Sequence, residues 1–132
     1  MIVKFFDRQN ESNPLNGHLV ERDNELLQIF DDLRNRAPFF TELVGENGHN
    51  LLVGTGGATG CVQYSRNDGR PPYLMALGPD VESPEEYLEF LTGNTPTPVP
   101  RRYALPFKLV KEIAVHFRQT GARSPVVSWE EI

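Results

Sequence analysis

Apolar and polar positions change period several times along the chain, and each change predicts an element. Residues 2–6, "IVKFF", alternate and are rich in β-formers, which reads as a strand. A polar stretch with Asn13, Pro14, Asn16 and Gly17 then turns the chain. From Asn24 onward Leu26, Ile29, Phe30 and Leu33 recur at three- and four-residue steps, with Gln28, Asp31 and Asn35 on the opposite face. Residues 23–36 are therefore expected to form an amphipathic helix, capped by Asp23 or Asn24 and closed before Pro38. Strand-like runs follow at 39–44, 50–54, 61–65 and 73–77, separated by "GENGHN", a glycine-rich loop and a proline turn.

The next stretch has two readings. Ser83, Pro84 and Glu86 look like a helix start with a capping box, whereas "EYLEFLTGN" alternates like a strand running into a Gly-Asn turn; the strand is preferred. "TPTPVP", residues 95–100, holds too much proline for a central strand and is expected as an extended edge or connecting segment. Pro106 can occupy the first turn of a second helix, 106–120, whose apolar face is Leu109, Val110, Ile113, Ala114 and Phe117 and which Gly121 ends. The tail "SPVVSWEEI" is short and extended, with Val127 and Trp129 facing one side. The sum is an α+β fold: an antiparallel β-sheet meander with the two amphipathic helices packed on one face.

Composition adds class to this outline. The 132 residues are expected as one domain spanning 1–132, with 39% hydrophobic and 23% charged positions, proportions of a soluble fold. Apolar runs fall far short of the roughly 20 residues a membrane helix requires, and Met1 leads quickly into Asp7 and Arg8, without a secretory or transit pattern. The cytoplasm is the expected compartment, and the single cysteine, Cys61, agrees with it. A net charge of -5 argues against a nucleic-acid binder, whose affinity comes mainly from Lys and Arg on phosphates, and suits a basic partner. Acidic residues concentrate at Asp80, Glu82, Glu85, Glu86 and Glu89, and basic ones at Arg101, Arg102, Lys108, Lys111, Arg118 and Arg123.

Catalytic spacing is hard to find. In "LLVGTGGATGCVQY", residues 51–64, Gly54 and Gly56 fit the first two places of a dinucleotide fingerprint, but Thr59 takes the third, and a strand rather than a helix follows. The stretch also lacks the Gly-Lys-Ser/Thr of a P-loop, so it reads as a flexible connection between antiparallel strands. A nucleotide site on the Gly54–Gly60 loop is the alternative. His18, His49 and His116 lie far apart, which gives a zinc site no support. Cys61 on a strand reads as a small buried hydrophobe rather than a nucleophile, and no Gly-x-Ser-x-Gly elbow exists. Glu85 and Glu89 form a carboxylate pair that spacing alone does not place across a substrate. Trp129 reads as the anchor of the tail. Arg101 and Arg102, with Lys108, Lys111 and a stacking Tyr103, would suit a polyanion only against the field of an acidic protein. Neither a cofactor nor a metal is implied, and binding is expected rather than catalysis.

The C-terminal third, "EYLEFLTGNTPTPVPRRYALPFKLVKEIAVHFRQTGARSPVVSWEEI", resembles the first family of immunity proteins of bacterial polymorphic toxin systems. In that family a strand ends in a Gly-containing turn, a "TPVP"-like segment leads to a Leu-Pro helix start, and the helix closes with "TG" before a tail reading "VxWEE". The matching residues here run from Gly93 to Pro100, then Leu105 and Pro106, Thr120 and Gly121, and Val127 with Trp129, Glu130 and Glu131. Upstream, a "VGxGG"-like turn at 53–57 and the order of elements are similar, while "PDVESPEE" has no counterpart in the pattern. The resemblance implies an α+β protein that protects its producer by binding a toxin domain, typically one of the nucleic-acid deaminase class. The chain lacks the His-x-Glu and Pro-Cys-x-x-Cys elements that hold zinc in such a deaminase, so it is not itself the toxin. The acidic residues Asp80, Glu82, Glu85, Glu86 and Glu89 are the expected toxin contacts, and Gly93, Pro100, Pro106, Gly121 and Trp129 the expected structural positions of the family pattern.

Overall fold

Strand alternation in the first half of the chain builds the sheet. The computed structural model describes residues 1–79 and 87–132. β3 (Phe39–Gly45), β4 (His49–Gly56) and β5 (Thr59–Arg66) form an antiparallel meander, with Leu43 opposite Leu51 and Val53 opposite Val62. β3 is one residue longer than its apolar run and β4 and β5 are three residues longer, because the ladder continues into the residues beside the turns. β1 (Val3–Asp7) lies antiparallel to β3 on the outer side, and β2 (His18–Val20) pairs with β1 to make one edge. β6 (Leu74–Ala76) and β10 (Trp129–Glu131) complete the order β10-β6-β5-β4-β3-β1-β2.

Helix α1 (Asp23–Leu33) is three residues shorter than its expected span and begins differently. Its N-cap is Arg22, without a side-chain cap, and Asp23 is the first helical residue. The Asp23 carboxylate is occupied elsewhere: it accepts from Arg118 Nε at 2.8 Å and Gln119 Nε2 at 2.7 Å, both on helix α2 (Phe107–Thr120). Pro106 stands at the N-cap of α2 rather than in its first turn. Its extended backbone belongs to β9 (Leu105–Pro106), which pairs with the start of β5. Gly121 closes α2 at φ 73°, a conformation in which a side chain is strained, and its carbonyl accepts from Tyr64 Oη and Asn47 Nδ2.

Both helices pack on one face of the sheet, where Phe5, Phe30, Leu43, Val62, Ile113 and Phe117 are almost completely buried. The sheet's other face is also covered in part. β7 (Tyr87–Thr92) and β8 (Thr95–Pro100) fold over it as a hairpin, enclosing a second cluster of Phe40, Cys61, Met75, Phe90, Val99 and Tyr103. β7 is laddered to the main sheet by one pair, Phe39 with Leu91, the one parallel pairing among the described residues; β1 beside β3, β10 beside β6 and β9 on β5 are antiparallel but depart from a simple meander. The alternation of "EYLEFLTGN" thus forms a strand over 87–92, and "TPTPVP" an edge strand. β2 and β9 have no sequence signal of their own, since two or three residues are too few to show a period.

One buried charge ties the first strand to the rest. Asp7, 3% exposed, pairs with Arg36 Nη1 at 2.8 Å and accepts from Asn13 Nδ2 and from the amides of Gln9 and Asn10. Burial alone would raise its pKa, but the bonds from Asn13, Arg36, Asn10 and Gln9 together outweigh it and hold the carboxyl below its ordinary value. A depressed carboxylate contributes stability that is present above the unfolded-state pKa and is lost as pH falls through the folded one. Asp7→Asn removes the charge that its donors share while Arg36, 37% exposed, stays solvated, and is expected to lower unfolding stability at pH 7 by about 2 kcal/mol, the scale of a hydrogen bond to a charged group. The variant's stability should also fall less steeply than the parent's as pH drops below about 4. Denaturant melts at pH 7 and pH 3 check both.

Candidate functional site

The β7–β8 hairpin and the groove beneath it are the most differentiated part of the surface. Its turn is Gly93 and Asn94, both at positive φ (54° and 67°), the pattern of a two-residue turn that matches strand twist. The turn is held by the segment after Asp7: Gly93 N donates to Arg8 O at 3.0 Å, Asn94 N to Gln9 Oε1 at 2.7 Å, and Gln9 Nε2 donates to Asn94 Oδ1. Inward, Phe90 packs against Phe40 with ring centroids 5.3 Å apart. The ring also lies on bare backbone: a Cβ at Gly54 would stand 2.8 Å from Phe90 Cδ1 and 2.7 Å from Cys61 Sγ. Beside these contacts a cavity of about 300 Å³ opens between hairpin and sheet, lined mainly by apolar side chains such as Phe40, Leu52, Cys61, Met75 and Val99, with Arg8, Gln63, Thr92 and Thr97 as polar members.

Outward, the hairpin presents different chemistry. Tyr87 is 61% exposed, and Glu89, Pro96 and Pro98 are exposed with it. Tyrosine is among the residue types enriched in protein interfaces. Asp80, Glu82, Glu85 and Glu86 lie outside the described residues; they immediately precede Tyr87 in the chain. Glu89 is thus the one member of the acidic block that the structure places.

The positions of the family pattern sit where the chain changes direction. Gly93 is in the hairpin turn, Pro100 opens a short 3-10 turn (Arg101–Tyr103), Pro106 precedes α2 and Gly121 ends it. Trp129 pairs with Ala76, packs on the helix-side core, and donates Nε1–H to Ser124 O at 2.9 Å. Glycines 54, 56 and 60 serve close packing, because a Cβ on any of them would meet heavy atoms within 2.7 Å. The loop's amide at Gly57 donates to Arg34 O, and the Ala58 carbonyl accepts from Phe107 N, so these groups hold helix ends rather than face a phosphate.

The remaining candidates are spread apart. Arg102 is joined to Glu130 at 3.2 Å and to Tyr103 Oη at 2.9 Å, Lys111 to Asp31 at 3.5 Å, and Tyr103 is buried instead of stacking outward. Burial pushes the Cys61 thiol up to about 12, far from a nucleophile's range. No group of three or more metal-ligating side chains gathers among the described residues, and none of the helices there is long and apolar enough to cross a membrane. Sequence reasoning missed Tyr87 and the groove. The signal for Tyr87 was present, since it is an aromatic residue directly after a run of acids.

A family model described as immunity protein Imm1 matches residues 16–131, well beyond the C-terminal third that carries the resemblance in the sequence. No curated protein matches the chain. The geometry generates one prediction of its own. Gly54→Ala inserts a methyl group where Phe90 and Cys61 meet, and is expected to cost about 1–3 kcal/mol, the range for overpacking. Pairing it with Phe90→Leu should recover part of that loss, because the two substitutions act on one contact. Chemical melts of the two single variants and the double variant measure the coupling.

Proposed function

The chain belongs to the Imm1 immunity-protein family, and from that premise we propose that it binds and neutralises a cognate bacterial toxin domain in the producer's cytoplasm. The toxin we infer is a nucleic-acid deaminase of a polymorphic system, and the mode is occlusion without catalysis. The observation that carries the reading is the joining of acidic block to anchor: Asp80, Glu82, Glu85 and Glu86 lead in sequence directly into exposed Tyr87 and Glu89 on β7.

The physical argument starts from the target. An enzyme that acts on nucleic acid needs a positive cleft, and a protein of net charge -5 is drawn to it over distances of a Debye length, about 8–10 Å. Steering sets the rate of encounter, whereas residence depends on desolvated contacts. Tyr87 supplies an aromatic anchor for the second stage, and the pairing of β7 with β8 fixes the backbone that carries it, so that only the side chain is left to order on binding. A stable block needs a total interface of roughly 1,200–2,000 Å², more than the hairpin alone, so the acidic segment and neighbouring sheet face would share it.

Co-expression with a candidate toxin is the test: growth is expected only when this protein is present. Reversing Glu85 and Glu86 to lysine should slow association in stopped-flow mixing and flatten its dependence on salt. Tyr87→Ala should leave the association rate near that of the parent and speed dissociation by about tenfold or more, the behaviour of an anchor. Parent-like association and dissociation in both variants would remove the hairpin from the interface.

A further inference from the structure

The edge of β8 that faces away from β7 has a composition that a β-strand partner cannot use. In an antiparallel pair, alternate residues direct both N–H and C=O at the neighbouring strand, and the residues between them direct both groups away. The register sets Thr95, Thr97 and Val99 opposite Thr92, Phe90 and Leu88, and Pro96, Pro98 and Pro100 opposite Leu91, Glu89 and Tyr87. Proline has no N–H to exchange, so the hydrogen-bonded places fall on Thr95, Thr97 and Val99. The other strand agrees: Leu91, opposite Pro96, donates its N–H away from β8, to Pro38 O at 2.8 Å. Among the described residues β8 pairs only with β7.

The outer side of β8 therefore carries the carbonyls of Pro96 and Pro98, two residues apart and about 6.7 Å along the strand, with no donor between them. Both prolines are exposed, and Glu89, opposite Pro98, adds a carboxylate to the same hairpin. Adding a strand here would leave that strand's carbonyls without partners, at the cost of unmade hydrogen bonds. Arginine is the complementary chemistry, since its guanidinium has five N–H donors and no acceptor.

The geometry points to β8 as an acceptor-only docking edge for guanidinium groups on a protein partner. The inference rests on the immunity reading only in identifying that partner with the toxin, whose polyanion-binding surface supplies arginines. It also gives the prolines a second consequence, because an edge without donors does not pair with another copy of itself.

The test needs no toxin. In the full chain labelled with carbon-13 and nitrogen-15, titration with a hexa-arginine peptide is expected to move the carbonyl carbon resonances of Pro96 and Pro98 downfield, the signature of a carbonyl accepting a hydrogen bond. The Pro96→Thr/Pro98→Thr variant keeps both carbonyls but adds two donors aimed at the peptide. It is expected to bind hexa-arginine about fivefold more weakly, on the scale of one net hydrogen bond, and to self-associate on concentration where the parent stays monomeric. Peptide shifts confined to other acidic positions, with the Pro96 and Pro98 carbonyls unmoved, would overturn the proposal even if the variant did not fold. So would pairing of the parent chain with itself through β8. Either result would leave the outcome of toxin co-expression untouched, so the two readings fail separately.

Discussion

The seat of Phe90 on the bare backbone of Gly54 is the constraint from which the outer half of this protein follows. A strand residue with any side chain at position 54 would push the ring off the sheet, since the space is already shared with Cys61 Sγ. With the ring seated, Phe40, Phe90, Val99 and Tyr103 close over the second face, and β7 is brought near enough to β3 for the single parallel pair at Phe39 and Leu91. The glycine-rich stretch that suggested a phosphate loop is thus a packing device. Its glycines let Pro38, Phe90 and the neighbouring backbone come close, and its hairpin holds the ends of both helices.

The fold separates stability from presentation. On the helix side, a large apolar cluster is fastened at its margins by Arg118 to Asp23 and by Tyr64 and Asn47 to the Gly121 carbonyl. On the hairpin side, the apolar cluster is smaller, a cavity remains, and the turn is fixed by polar contacts from Arg8 and Gln9. Gln9 is placed in turn by Asp7, whose carboxylate accepts from its amide and from Arg36, and Arg8 by its amide's bond to Phe40 O. A chain of hydrogen bonds therefore runs from the buried Asp7 carboxylate through Gln9 to the tip of the exposed hairpin. Such an arrangement holds the hairpin's outer residues in one geometry while leaving them open to solvent, which is what a preorganised interface requires.

Much of the fold was legible because periodicity reports burial. Leu26, Ile29, Phe30 and Leu33 in one helix, and Val110, Ile113, Ala114 and Phe117 in the other, are buried as their spacing implies, whereas Leu109 of the expected face is half-buried and Phe107 takes a buried place. The ends were less legible. Asp23 has the character of a cap, yet its carboxylate is taken by Arg118 and Gln119, ninety-five and ninety-six residues away, a competition no local pattern contains. Pro106 was drawn out of the helix by the ladder with β5 for the same kind of reason. Of the candidate site, composition exposed the acids and missed the groove, because a groove is made of residues from β3, β4, β5, β6 and β8 that meet only in the folded chain. The alternating prolines of "TPTPVP" were visible as an edge signal, but their shared outward direction required the register.

The central claim is that this protein is a stoichiometric binder whose working surface is the β7–β8 hairpin and the acidic segment that leads into it. Hydrogen exchange measured by mass spectrometry, on the free chain and on its complex with a toxin it neutralises, addresses that claim most directly. The account predicts a one-to-one complex in which exchange slows across residues 80–100 and is nearly unchanged along the outer surfaces of the two helices. Protection concentrated on the helices, with residues 80–100 exchanging as fast as in the free chain, would contradict it.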